Sequence, residues 1–244
     1  MAYSIDLNFD TVLFDLDGTL LPMDTKAFEG LYFTGLCSKL AEKIDSKKLI
    51  DCIWQATKAM ILNDGTCLNR DAFAKVFQET TGIDYYENEG DFLEYYNEDF
   101  QVCKKACKVS ELSKKIVQTL QSKGYRVAIA TNPIFPAVAT NWRLEWLGMN
   151  ANQFELVTTF DNSSHAKPNP AYYQEVCDTL QVNPKQCVMI GNDVQEDGVA
   201  KTIGMNVKLV EDCLINTKNA STDAFELGSL HDVYEWSQEL PSLI

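Results

Sequence analysis

Two carboxylates, Asp15 and Asp17, close the apolar run in TVLFDLDGTL (residues 11–20), with Gly18 and Thr19 directly behind them. A charge at the end of a buried strand is costly unless a cation or a hydrogen-bond network meets it. Three later apolar runs also end in residues able to do chemistry. Thr131 and Asn132 follow YRVAIA, Lys167 stands in the KPNP loop beyond FELVTTF, and Asn192, Asp193 and Asp197 follow CVMIG. Asp15, Asp17, Asp193 and Asp197 carry −4 between them, and Lys167 returns +1. Two carboxylates about 4 Å apart repel by about 4 kcal/mol at an effective dielectric near 20, so gathering four requires a cation. Hard oxygen ligands without a soft partner suit Mg²⁺.

For these residues to meet, the runs that carry them must be neighbouring strands. Residues 11–15, 125–131, 154–160, 187–191 and 206–210 read as buried strands. Helical patterns separate them: SELSKKIVQTLQSKG with a Ser N-cap and a Gly stop, AVATNWRLEWLG, NPAYYQEVCDTL opened by Pro, QEDGVAKTIG, and a last helix in GSLHDVYEWSQEL. Strands alternating with helices predict an α/β fold with a doubly wound parallel sheet, and such sheets bind ligands outside the carboxyl ends of their strands. Between Met23 and about Lys108 the rhythm is helical throughout, in KAFEGLYFTGLCSKLAEKI, KKLIDCIWQATKAMIL, NRDAFAKVFQETTG and the segment from Tyr85 to Cys107, with NDGT (63–66) as a turn. The predicted organisation is therefore a catalytic core of residues 1–22 and 109–244, with an α-helical insertion of residues 23–108 after the first strand. Residues 84–99 hold seven acids and no base, read as the solvated face of a helix whose stripe is Phe92, Tyr96, Phe100 and Cys103.

Composition narrows the partners. Thirty-five acids against 21 bases leave a net charge of −14 over 244 residues, which argues against nucleic acid and against an anionic membrane. A local cation can still govern a pocket for a small anion. No run approaches the roughly 18 apolar residues of a membrane helix, and MAYSIDLNFD carries acids where a signal peptide carries bases. Eight Cys without a CxxC pair read as plain thiols; Cys103 and Cys107 lie one turn apart, but only His165 and His231 are available to complete a zinc site. A reduced cytoplasmic protein is expected, and NAS (219–221) then carries no glycan. An EF-hand starting at Asp15 fails, because Leu20 and Lys26 stand where it needs Gly and Glu. A receiver-type phosphorylation domain would not explain Asp17 or the helical insertion.

DLDGTL, ATN, KPNP and GNDVQED, in this order, resemble the four signature motifs of the haloacid dehalogenase-like (HAD) superfamily, and the insertion resembles the helical cap of its type I members. The resemblance spans the chain from about Asp10 to the last strand. It implies Asp15 as a nucleophile forming an aspartyl-phosphate, and Asp17 as general acid and then base, with its backbone carbonyl on Mg²⁺. It further implies Thr131 and Asn132 as phosphate binders and Lys167 as the neutralising cation. Asp193 would be a metal ligand, with Asp197 holding the metal directly or through water. Together these imply a Mg²⁺-dependent phosphatase of a small phosphorylated metabolite, monomeric or homodimeric.

Within the superfamily, dehalogenases lack an acid at the Asp17 position, phosphonate-cleaving members use a cap lysine, and sugar phosphomutases usually carry a histidine just after the first motif, where this chain has none. A phosphomutase, or a non-catalytic binding or scaffold protein on the same fold, are the alternatives. For Met23, Asp24, Phe28, Trp54, Lys58, Asn63, Asp64 and Arg70 of the insertion the choice between pocket, core and solvent stays open, as does any role for His165.

Overall fold

The structure is a computed structural model describing residues 3, 4 and 8–244; most of the reading of the first seven residues therefore lies outside it. Five parallel strands, β1 (Thr11–Phe14), β2 (Arg126–Ile129), β3 (Cys187–Gly191), β4 (Asn206–Val210) and β5 (Glu226–Gly228), form one sheet in the order β2-β1-β3-β4-β5. Side chains alternate between the two faces as the pleat requires. Val12, Phe14, Val188 and Ile190 enter one apolar cluster, and Leu13, Cys187 and Met189 the other. Such buried side chains contribute about 1.5–3 kcal/mol each.

The first cluster is covered by α5 (Glu111–Ser122), α6 (Ala137–Trp146) and α8 (Leu230–Glu239), the second by α7 (Pro170–Leu180). Local signals start these helices where the sequence places them. Ser110 accepts from Leu112 N at α5, Asn169 caps α7 ahead of Pro170, and Ser229 with Asp232 forms a capping box at α8.

Three expectations are corrected. FELVTTF does not form a full strand: it runs beside β2 with Ile129 N bonding Leu156 O at 2.8 Å, and pairs as a bridge at Val157 alone. The side chain of Asn162 binds Thr159 N and Val157 O and pulls the chain off the sheet edge into a turn. The helix expected from Tyr85 to Cys107 is two pieces, α4 (Glu89–Glu98) and a 3-10 helix Phe100–Ala106. QEDGVAKTIG likewise tightens into a 3-10 helix, Gly198–Ile203.

The insertion is built from α1 (Thr25–Lys39), α2 (Ser46–Ile61), α3 (Asn69–Thr81) and α4. The chain leaves and returns side by side: Asp24 N bonds Ala106 O at 2.9 Å and Lys108 N bonds Pro22 O at 2.7 Å. Its apolar side merges with the first sheet cluster, for instance through Phe100 stacked on Trp146 at 5.5 Å. The acids of residues 84–99 face outward, where Asp91 pairs with Lys43, Glu94 and Glu98 with Lys39, and Glu89 with Arg70. No helix among the described residues is long and apolar enough to cross a membrane.

Candidate active site

Strand register assembles the site. Phe14 of β1 is flanked by Ile129 of β2 and Ile190 of β3, so the residues that follow all three strands emerge at one sheet edge. Asp15 stays on the ladder, its N–H donating to Ile190 O at 2.9 Å. The turn behind it needs Gly18, at φ +86° and with the Asn192 amide where a Cβ would stand.

Lys167, 1% exposed, reaches this edge from the loop before α7, and its ammonium donates to Asp15 Oδ1 at 2.8 Å and to Asp197 Oδ1 at 2.6 Å. Thr19 Oγ1 donates toward the other Asp15 oxygen at 3.3 Å. Asp197 is fully engaged, its Oδ2 accepting from Asn192 N and Asp193 N at 2.9 Å each. Asp193 turns one oxygen, Oδ1, to its own loop, accepting from Gln195 N and Glu196 N at 2.7 and 2.8 Å.

A cavity of about 160 Å³ is lined by Asp15, Asp17, Thr131, Asn132, Asp193 and Asp197 among others. Six of the seven sequence-predicted residues thus share one cavity, and the seventh, Lys167, bonds Asp15 from behind. One lysine does not balance this many acids. Burial pushes the Asp15 carboxyl up to about 7, Lys167 opposing and Asp197 and Asp17 adding to it. Asp193 is likewise raised by burial, and Glu196 is pushed up to about 7 by burial against the pull of Lys167. Lys167 itself is held well above its ordinary value: burial disfavours its charge, but Asp15 and Asp197 outweigh that.

Two participants escape the sequence reading, Arg143 and Glu196, while a third, Asn192, is among the residues it places at the strand ends. Arg143, 1% exposed on α6, is ion-paired with Asp17 Oδ2, bonds Ala139 O and Thr140 Oγ1 of its own helix, and lies 4.6 Å over the Phe135 ring. Nothing local marks it, since its partner lies 126 residues earlier. Glu196 takes a hydrogen bond from Asn132 Nδ2 at 3.1 Å and lines the cavity; its place inside GNDVQED was the available signal. Asn192 bridges Thr19 Oγ1 and Cys213 O. Two buried atoms of this cluster have no hydrogen-bond partner, Asp17 Oδ1 and Asn132 Oδ1. Burial raises the Asp17 carboxyl while Arg143 pulls it down.

Of the insertion residues left open, Met23, Phe28 and Trp54 line an adjoining cavity of about 330 Å³. Asp24 caps α1, Asn63 bonds Asn69, Asp64 bonds Thr66, and Arg70 pairs with Glu89 and Asp161; none of these, nor Lys58, lines it. His165 is bonded through Nδ1 to Glu175 at 2.9 Å and lines neither cavity.

A family model for haloacid dehalogenase-like hydrolases matches residues 9–202. The chain belongs to the haloacid dehalogenase-like hydrolases. It is 27% identical over 187 residues to pyrophosphatase PpaX of Anoxybacillus flavithermus, covering 77% of this chain and 76% of that one. Among solved structures, a 2-haloacid dehalogenase from Pseudomonas syringae pv. Tomato DC3000 aligns with TM-score 0.59 and 19% identity over 93% of this chain and 97% of that one. A predicted phosphoglycolate phosphatase from Haemophilus somnus 129PT aligns with TM-score 0.55 and 18% identity over 95% and 99%. At these identities the structural likeness speaks for the fold, and a HAD-type Rossmannoid sheet is the fold of this chain.

Proposed function

We propose that this hydrolase is a Mg²⁺-dependent phosphomonoesterase that acts on a small phosphorylated metabolite through an aspartyl-phosphate on Asp15. The observation that carries the reading is the Asp17 carboxyl, with an unpartnered buried Oδ1, in the same cavity as Asp15. A halide departs without a proton; an alkoxide needs one, and Asp17 is an acid placed to supply it.

An Asp15 carboxylate oxygen attacks phosphorus, and the ester P–O bond breaks as the departing oxygen takes the proton of Asp17. A water then attacks the acyl phosphate while Asp17 takes its proton back. The Asp15–phosphorus bond breaks, inorganic phosphate leaves, and both aspartates return to their starting states. Thr131 and Asn132 bind phosphate oxygens, and Lys167 offsets charge on Asp15 and the phosphoryl group. Asp197 acts mainly as the anchor of Lys167 and of the loop amides, since its two oxygens already have partners.

The donor set fits Mg²⁺. Its atoms are hard oxygens without a soft partner, and burial pushes its Asp15 and Asp193 carboxyls upward, a cost that a bound cation would offset. The Asp15 and Asp193 carboxylates and the Asp17 carbonyl would hold it, and when bound it supplies charge neutralisation of the phosphoryl oxygens.

Residues 23–108 are proposed as the cap that shields this chemistry from water, and residues 1–22 with 109–244 as the catalytic core. A cytoplasmic monomer or homodimer is proposed, in keeping with eight free thiols. The test is phosphate release from an alkyl phosphate: Asp15→Asn should abolish it while circular dichroism stays native, and chelation should abolish it until Mg²⁺ is restored. Turnover by Asp15→Asn at the parental rate overturns the reading.

A further inference from the structure

The cavity of about 330 Å³ shares Asp17, Asn132, Ile134, Phe135, Glu196 and Ile215 with the acid-lined one, so it lies where the departing alcohol of a substrate must go. Ten of its 21 lining residues are aromatic, an unusual concentration of ring faces for a site that would take a small polar metabolite. Phe28 and Tyr32 each meet Phe135 edge to face, with centroids 6.4 and 5.6 Å away, and Trp54, 49% exposed, stands against Phe33 at 5.5 Å. An apolar cavity of about 150 Å³ holds one benzene, so this one has room for roughly two rings.

Its charge is equally specific. Among the described residues the only ionisable acids or bases on the wall, Tyr aside, are Asp17, Glu29 and Glu196, and no Lys, Arg or His lines it. Arg143, the partner of Asp17 on this wall, is engaged there and lies over the Phe135 ring. Arg70 of the insertion does not line the cavity and is paired with Glu89 and Asp161. A second anion on the substrate would therefore enter an apolar, acid-flanked space with no counter-charge.

Resting on the phosphomonoesterase reading, we infer that the substrate is the monophosphate of an aromatic or heteroaromatic alcohol, of up to about two rings, whose leaving portion is neutral or cationic. Pyrophosphate, phosphoglycolate and sugar bisphosphates, each with a second anionic group, are disfavoured.

The test is steady-state hydrolysis of four esters with similar leaving oxygens: ethyl, 2-phenylethyl, 2-(4-carboxyphenyl)ethyl and 2-(4-aminomethylphenyl)ethyl phosphate. The phenyl group should raise kcat/KM at least tenfold over ethyl, mainly through KM. The carboxylate should lower it at least tenfold from the phenyl ester, and the ammonium should leave it within threefold or improve it. Glu29→Lys should narrow the penalty on the carboxylate ester at least tenfold. Ethyl equal to phenylethyl, or carboxylate equal to phenyl, overturns the inference and leaves the phosphatase reading standing. Silence on all four esters with Mg²⁺ present overturns both.

Discussion

Arg143 Nη1 donates to Asp17 Oδ2 across 126 residues of chain, and the other oxygen of the same carboxylate has no partner. The arginine is itself locked by its own helix and by the Phe135 ring. A side chain so constrained fixes the direction of the acid it holds, with Oδ1 left for a leaving group.

Arg143→Met should therefore lower kcat on 2-phenylethyl phosphate on the order of 10²-fold, the lower end of what a placed general acid supplies. On 4-nitrophenyl phosphate, whose phenolate departs unprotonated, the loss should stay under about tenfold. Equal losses on both esters would make Arg143 a structural residue only.

Asp17→Asn should show the same leaving-group dependence more strongly, with about 10³-fold lost on the alkyl ester. Burst kinetics on 4-nitrophenyl phosphate should also reveal accumulated acyl phosphate, because water attack loses its base. No burst and full alkyl turnover would remove Asp17 from the chemistry.

The metal-free protein should lose stability as pH rises. Asp15 and Glu196 titrate near 7 in the folded state and near 4 when unfolded, so the folded state holds more protons between these values. The stabilisation is complete below about pH 4 and is lost through about pH 7, on the order of a few kcal/mol. Thermal melts at pH 5, 6, 7 and 8 should fall accordingly, and saturating Mg²⁺ should flatten the trend. A melting temperature that climbs over this window without metal would contradict the burial of these carboxyls.

Lys167→Met removes the shared cation of two buried acids. Loss of one partner of a buried ion pair costs about 3–5 kcal/mol, or roughly 10 °C in Tm at this size. The loss should be larger at pH 8 than at pH 5, where the orphaned carboxyls take up protons instead.

Gly191→Ala tests how the β3 strand end serves the site. A Cβ there would meet the carboxylate of Asp197. The acid would have to move, releasing Lys167 and the amides of Asn192 and Asp193. At least a tenfold loss of kcat is expected, with the far-UV spectrum unchanged; unimpaired turnover would show that the Asp197 anchor is dispensable.

Much of the molecule was written locally. A continuous apolar run such as CVMIG, short and bounded by turn residues, reads as a strand buried on both faces, and caps such as Ser110, Asn169 and Ser229 fix helix starts through bonds to amides two or three residues away. The clustering of Asp15, Thr131, Asn132, Asp193 and Asp197 followed from their positions at the ends of such strands, because a parallel sheet brings those ends to one edge. Weaker local patterns failed where side chains competed with the ladder, as Asn162 does beside FELVTTF.

What the tertiary structure alone decided is which helix residues turn toward that edge. Helical periodicity says that Arg143 or Phe28 has an apolar or polar neighbour one turn away, but not what faces it from another element. The ion pair of Arg143 with Asp17, the orphaned oxygen beside it and the ring-lined, base-free cavity all arise from packing between segments distant in sequence. Desolvation and charge balance are properties of that packed space, and no stretch of the chain carries them by itself.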